Sequence, residues 1–173
     1  MDASKDELRD QMMALLPRLR RFALALTSRS AEADDLVQDT VERALRNLNR
    51  FTPETRMDSW MFRIAQNLWI DRLRAAKVRR GTVNLDEAAN AAFDGVRAAE
   101  AHTLLASTLR ALDELPQEQR EVIALVLIEG IPYREAADIL EVPIGTVTSR
   151  LARAREALAA RVLGGDMAED TLQ

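Results

Sequence analysis

Leucine, methionine, valine and alanine recur at three- and four-residue intervals along most of this chain, the spacing of helices that bury one face. Leu8, Met12, Leu15 and Leu16 form the first such stripe, and Pro17 should end that helix or open the next at its first turn. "PRLRRFALALT" then continues as helix to about Thr27. Ser30 is placed to cap "AEADDLVQDTVERALRNL", whose buried stripe should be Leu36, Val37, Val41, Ala44, Leu45 and Leu48. Acids gather in its first turn and arginines in its last, as the helix dipole prefers. "NRFTPETR" interrupts the pattern at Pro53 and reads as a loop. Asp58 or Ser59 should cap the long run "WMFRIAQNLWIDRLRAAKVRR", in which Trp60 and Phe62 lie beside Ile64, Ala65 and Leu68, and which should end near Gly81. Residues 1–80 make one helical domain.

The periodicity lapses over 81–100, a small and acidic stretch that reads as a flexible linker. It resumes in a second unit over 101–163. A helix is expected at about 101–113, then "LPQEQREVIALVLIEG" with Pro116 in its first turn and Gly130 at its C-cap. "PYREAADIL", the turn "EVPIG" and "TVTSRLARAREAL" read together as a helix-turn-helix, with Pro132 at the first helical position and Val147, Leu151, Ala154 and Leu158 on the core side. The acidic tail 164–173 is expected to be disordered. The fold class is all-α: two small helical domains on a flexible linker, the second a helix-turn-helix.

Composition removes several functions. There is no cysteine and one histidine, His102, which reads as an exposed helix residue, so thiolate metal sites, disulfides and histidine chemistry have little material. No nucleophile–base pair or metal-ligand cluster is evident, so neither an enzyme nor a bound cofactor is expected. No apolar run is long enough to span a bilayer, and "MDASKDELRD" is charged where a signal peptide would be apolar, so a cytoplasmic protein without membrane insertion is expected.

Charge is segregated beneath a net of −4. Residues 41–80 carry ten Arg/Lys against four Asp/Glu, residues 81–121 three against eight, and residues 144–163 four against one. An acidic total therefore leaves room for basic nucleic-acid surfaces. Opposite its core side, the last helix presents Thr146, Ser149, Arg150 and Arg153 near its N-terminus, the chemistry that base edges and phosphates require. The arginines alone would equally suit a solvated face; the turn, the spacing and the preceding helix point to DNA.

These residues carry a resemblance. "LDELPQEQREVIALVLIEGIPYREAADILEVPIGTVTSRLARAREAL" resembles the C-terminal promoter-binding domain of bacterial sigma factors, specifically the two-domain extracytoplasmic-function group. "AEADDLVQDTVERALRNLNRF" followed by "SWMFRIAQNLWIDRLR" is similar to that group's N-terminal domain. The resemblance implies a non-catalytic factor that binds core RNA polymerase and promoter DNA, usually under the control of an anti-sigma factor.

Residue by residue, it implies that Asp35, Gln38, Asp39, Glu42 and Arg43 dock on the polymerase clamp helices. Read without it, these five are the polar side of an amphipathic helix. It assigns the minus-ten element to the loop bearing Arg50 and Phe51 and to the helix after it, with Asn67 contacting a flipped base and Arg63, Arg72, Arg74, Lys77, Arg79 and Arg80 neutralising phosphates. Phe51 and Trp69 are open as stacking platforms, whereas Trp60 and Phe62 are expected in the core. The minus-thirty-five element falls to Arg134, Thr146, Thr148, Ser149, Arg150 and Arg153. Thr148 stands where many relatives carry a cation, Ala152 where many carry a larger side chain, and Pro132 where a hydroxyl residue usually caps. These departures bear on which promoter is read. The rival reading is a free-standing helix-turn-helix regulator with an N-terminal dimerisation domain.

Overall fold

The structure, a computed structural model, describes residues 5–52, 54–82 and 101–169. It is all-α, with no strand among the described residues. Helix α1 (Lys5–Thr27), α2 (Ser30–Arg46) and α3 (Met57–Thr82) form the N-terminal half. Helices α4 (Ala101–Asp113), α5 (Gln117–Val122), α6 (Tyr133–Leu140) and α7 (Ile144–Glu169) form the C-terminal half. Among the described residues, no helix is long and apolar enough to cross a membrane.

Pro17 neither ends nor begins a helix, because α1 runs through it. Its missing N–H frees only the Met13 carbonyl, and both residues are exposed, so water can take up that acceptor. Below it, Leu19, Phe22 and Leu26 are fully buried against Leu36 of α2 and Met61 and Phe62 of α3; the Phe22 and Phe62 rings lie 5.0 Å apart. Ser30 is the first residue of α2 and not its cap: Arg29 holds that position, and the Thr27 hydroxyl accepts the Arg29 N–H at 3.4 Å. The stripe of α2 is Ala33, Leu36, Thr40 and Ala44, continued by Leu48 in a 3-10 turn (Leu48–Arg50). Val37 and Val41 only flank it, and Leu45 is exposed. Thr40 can replace an aliphatic residue there because its hydroxyl returns to the Leu36 carbonyl at 2.7 Å. Asp58 and Ser59 both fall inside the first turn of α3, where the Asp58 carboxylate accepts the Ser59 N–H at 2.8 Å.

The helix-turn-helix forms with shifted edges. Pro132 is the N-cap of α6 with an extended ψ, outside the helix, which a residue lacking an N–H tolerates well. The turn comprises Glu141, Val142 and Pro143, and Ile144 and Gly145 already belong to α7. Glu141 takes the left-handed conformation at φ 55° that a glycine usually supplies. Val147, Leu151 and Ala154 are buried as expected, and Leu158 packs on the core edge. Helix α7 continues to Glu169 through residues expected to be a disordered tail; a helix already nucleated on the core extends at one hydrogen bond per residue. Residues 170–173 lie outside the described residues, as do Pro53 and positions 83–100 of the expected linker; α3 itself runs two residues past the boundary at 80.

Residues after Val122 depart from α geometry. Ile123–Ile128 form a π-helical turn, with the Glu129 N–H reaching the Ala124 carbonyl at 3.1 Å, and Gly130 follows at φ 68°. This wider turn delivers Glu129 to the flank of α1. The two halves do not stand apart: buried residues of both belong to one continuous hydrophobic cluster, and α3 packs on α6 while α1 packs on α5 and the π turn.

Candidate nucleic-acid interface

Helix α7 exposes some of the residues expected to face DNA. Arg134 on α6 and Thr148, Ser149 and Arg153 on α7 are exposed, and Thr146 is half-buried. The Thr148 hydroxyl donates to the Ile144 carbonyl at 3.1 Å and the Ser149 hydroxyl to the Thr146 carbonyl at 3.1 Å. Both keep acceptor lone pairs for a ligand. Arg150 differs from its neighbours. It is half-buried and lines a cleft of about 510 Å³ with Glu121, Leu140, Val142 and Ile70, the last of these from α3.

Helix α3 carries two faces about a quarter turn apart. Trp60, Ile64 and Asn67 follow one another at spacings of four and three, and Asn67 is exposed. Trp60 and Ile64, with Arg43, Asn47 and Arg50, line a hollow of about 260 Å³. Asn67 is not among its lining residues. Phe51 packs edge-on against Trp60, centroids 5.3 Å apart; both are half-buried and pack against the core, and Phe62 lies within it. Trp69 is half-buried, and its indole N–H is enclosed without a hydrogen-bond partner.

The other face of α3, Arg63, Gln66 and Ile70, meets the C-terminal half. Arg63 donates to the Asp138 carbonyl of α6 at 2.8 Å. The buried Gln66 amide approaches the Glu121 carboxyl without a hydrogen bond of good geometry. Burial pushes the Glu121 carboxyl above the ordinary carboxylate value, and the Gln117 amide, donating at 2.7 Å, offsets this only in part.

Two of the expected surfaces are joined. Asp35, Gln38, Asp39, Glu42 and Arg43 are all exposed on α2, but Asp39 accepts from Arg72 of α3 at 2.6 Å, and Arg72 also reaches the Glu32 carbonyl at 3.5 Å. A phosphate would have to compete with that carboxylate for Arg72. Glu42 is held by Arg46 at 2.8 Å and Gln38 at 3.4 Å. Arg74 lies 3.7 Å from Asp71, and Arg50, Lys77 and Arg79 are exposed. Arg80 is in the last turn of α3 and His102 in the first of α4; their side chains lie outside the described part.

Sequence reasoning missed the charged residues between the halves. Glu129, its side chain fully enclosed, accepts from Arg18 at 3.0 Å and Arg21 at 3.2 Å. Arg18 also donates to Asp58 at 2.8 Å, and Arg56 to Asp58 at 2.7 Å. Burial raises the Asp58 carboxyl, but the Arg56 and Arg18 guanidiniums and the Ser59 N–H overcome it and hold it at about 2. An acid embedded in the apolar run "IALVLIEGI" was the available signal, since a charge there requires a cation.

An arginine-bearing helix in a helix-turn-helix on one half, and a second arginine-bearing helix on the other, are the chemistry of a DNA-binding protein. Residues 12–79 match the sigma-70 region 2 family and residues 105–158 the sigma-70 region 4 family. The chain is 40% identical to the ECF RNA polymerase sigma factor EcfG of Rhodopseudomonas palustris over 165 residues, 95% of this chain and 90% of that protein. Among solved structures, it is similar to the sigma factor RpoE in complex with the anti-sigma factor NepR from Bartonella quintana, with TM-score 0.74, 31% identity, and 93% and 98% of the two chains covered. It is also similar to CnrH in complex with the cytosolic domain of CnrY, with TM-score 0.67, 27% identity, and 94% and 91% covered. The chain belongs to the ECF RNA polymerase sigma factors. A free-standing regulator on a dimerisation domain is set aside, because the N-terminal half is region 2.

Proposed function

We propose that this sigma factor binds core RNA polymerase through α2, reads the minus-ten element with α3 and the loop before it, and reads the minus-thirty-five element with α7. It catalyses nothing itself and works in the compartment where polymerase works, the cytoplasm. The observation that carries the reading is the presence of both region 2 and region 4 in one chain, each with its arginine-bearing helix. The exposed acids and arginine of α2 suit a polar interface that fixes register. Asn67, continuing the Trp60 and Ile64 face, can both donate to and accept from a base edge. An anti-sigma protein is the expected regulator, since RpoE and CnrH are each seen with such a partner or with a cytosolic domain bound.

The test is direct binding. A fluorescently labelled chain titrated with purified core polymerase should bind saturably, and Asp35→Ala combined with Arg43→Ala should weaken that binding at least tenfold. Absence of binding by the unmodified chain would overturn the proposal, and an unaffected double variant would remove α2 as the docking surface.

A further inference from the structure

Arg150 stands apart from the other residues expected to face DNA on α7. Its side chain is half-buried and lines the cleft of about 510 Å³. Glu121 of α5 lines the same cleft, near enough for the arginine's charge to favour its carboxylate, yet no hydrogen bond or ion pair joins the two. A guanidinium carries five N–H donors, and Arg150 has no hydrogen-bond partner among the described residues. Glu121 is little better supplied. Gln117 donates to it at 2.7 Å, and the buried Gln66 amide that approaches it from α3 has neither atom hydrogen-bonded. Buried polar groups short of partners are uncommon, and several of them around one cleft point to a ligand.

The rest of the wall is mostly aliphatic. Ile70, Leu140 and Val142 are half-buried along it, and the exposed Glu118 adds a second carboxylate. A volume of this size and apolar walls with a few charged groups are the form of a small-molecule site, for which about 300–1,000 Å³ is usual. The charges select the ligand. A simple anion would meet Arg150 but also Glu118 and Glu121, and a simple cation would meet those carboxylates but also Arg150. A molecule with one charge of each sign suits both: its carboxylate takes paired N–H donors from the guanidinium, and its ammonium group donates to the acids. No aromatic side chain lines the cleft, and the three half-buried aliphatic residues are all branched, which fits a branched aliphatic group on the ligand.

We propose that this cleft binds a free α-amino acid with a branched aliphatic side chain, its carboxylate on Arg150, its ammonium group on Glu121 and Glu118, and its side chain against Ile70, Leu140 and Val142. The bound molecule occupies a guanidinium that is also assigned to the minus-thirty-five element, so promoter affinity falls as the amino acid accumulates. That consequence rests on the proposed function; the binding itself does not.

Isothermal titration of the full chain with L-leucine at neutral pH should show saturable binding of one molecule per chain, and the methyl resonances of Ile70, Leu140 and Val142 should shift together in nuclear magnetic resonance spectra. Leucinamide, which lacks the carboxylate, and isocaproate, which lacks the ammonium group, should each bind weaker by about tenfold or more, since each loses a charge-assisted contact. These ligand arms use the unmodified chain and so do not depend on any variant folding. Arg150→Gln should cost as much as removing the carboxylate, and Glu118→Gln, at an exposed position, only about two- to fivefold. Saturating leucine, present while the chain is assembled with core polymerase, should weaken promoter binding by about fivefold or more. Absence of saturable binding by leucine, isoleucine and valine alike would overturn the site. Leucinamide or isocaproate binding as tightly as leucine would overturn the ligand class, and full binding by folded Arg150→Gln would overturn the placement. Unchanged promoter affinity at saturating leucine would overturn the effect on DNA. Failure of the C-terminal half to read the minus-thirty-five element would leave the titration and the methyl shifts as expected and count against the proposed function instead.

Discussion

Asp58 and Glu121 are both buried carboxylates, yet their environments drive them in opposite directions. Asp58 sits near 2 under two guanidiniums, so its folded value is below its unfolded one of ~3.9. Its contribution is complete above about pH 4 and is lost as pH falls through about 2. Asp58→Asn should therefore lower stability by about 2 kcal/mol at neutral pH, and denaturant melts should show the deficit shrinking toward pH 2. Glu121 is raised by burial, so its contribution is complete below about 4.5 and declines as pH rises through its elevated value. Glu121→Gln should raise the melting temperature at pH 8 more than at pH 5, a difference that thermal melts at the two pH values will show. Among the residues proposed to face DNA, Arg153 is exposed and makes no ion pair among the described residues, and Arg153→Ala should weaken minus-thirty-five recognition by about tenfold at fixed salt, read by promoter competition.

At the scale of elements, periodicity locates every helix and goes astray where side chains or backbone turns overrule it. The apolar stripe of α7 is legible because Val147, Leu151 and Ala154 face one core. The stripe of α2 is legible at Leu36, Ala44 and Leu48 but not at Thr40, which passes as a core residue by satisfying its own hydroxyl and leaves Val41 at the flank. Pro17 reads as a break, because sequence does not show that the carbonyl it frees faces water. Glu141 gives no turn signal, since it holds a left-handed position without being glycine. Glu141→Gly should relieve that strain and stabilise the helix-turn-helix by roughly 0.5–1 kcal/mol in urea denaturation, the unfolded-state entropy of glycine offsetting part of the gain. The π turn is equally invisible in the sequence, yet it aims Glu129 at α1.

For the whole molecule, the two motif sets make the function class legible in the amino-acid sequence, because each half carries its own helices and its own arginines. The packing of one half on the other is not legible there. It depends on pairs such as Arg18 with Glu129, separated by 111 positions. Within the N-terminal half, the Arg72–Asp39 pair likewise ties together two surfaces that the resemblance assigns to different partners. Local spacing says nothing about either. The central claim is that this chain confers promoter recognition on RNA polymerase, and run-off transcription with purified core polymerase tests it most directly. On a matched promoter, transcript should appear only when the chain is added, and Asn67→Ala should reduce it by impairing minus-ten opening. Transcript formed equally well without the chain, or tight duplex-promoter binding by the chain alone with no effect on polymerase, would contradict it.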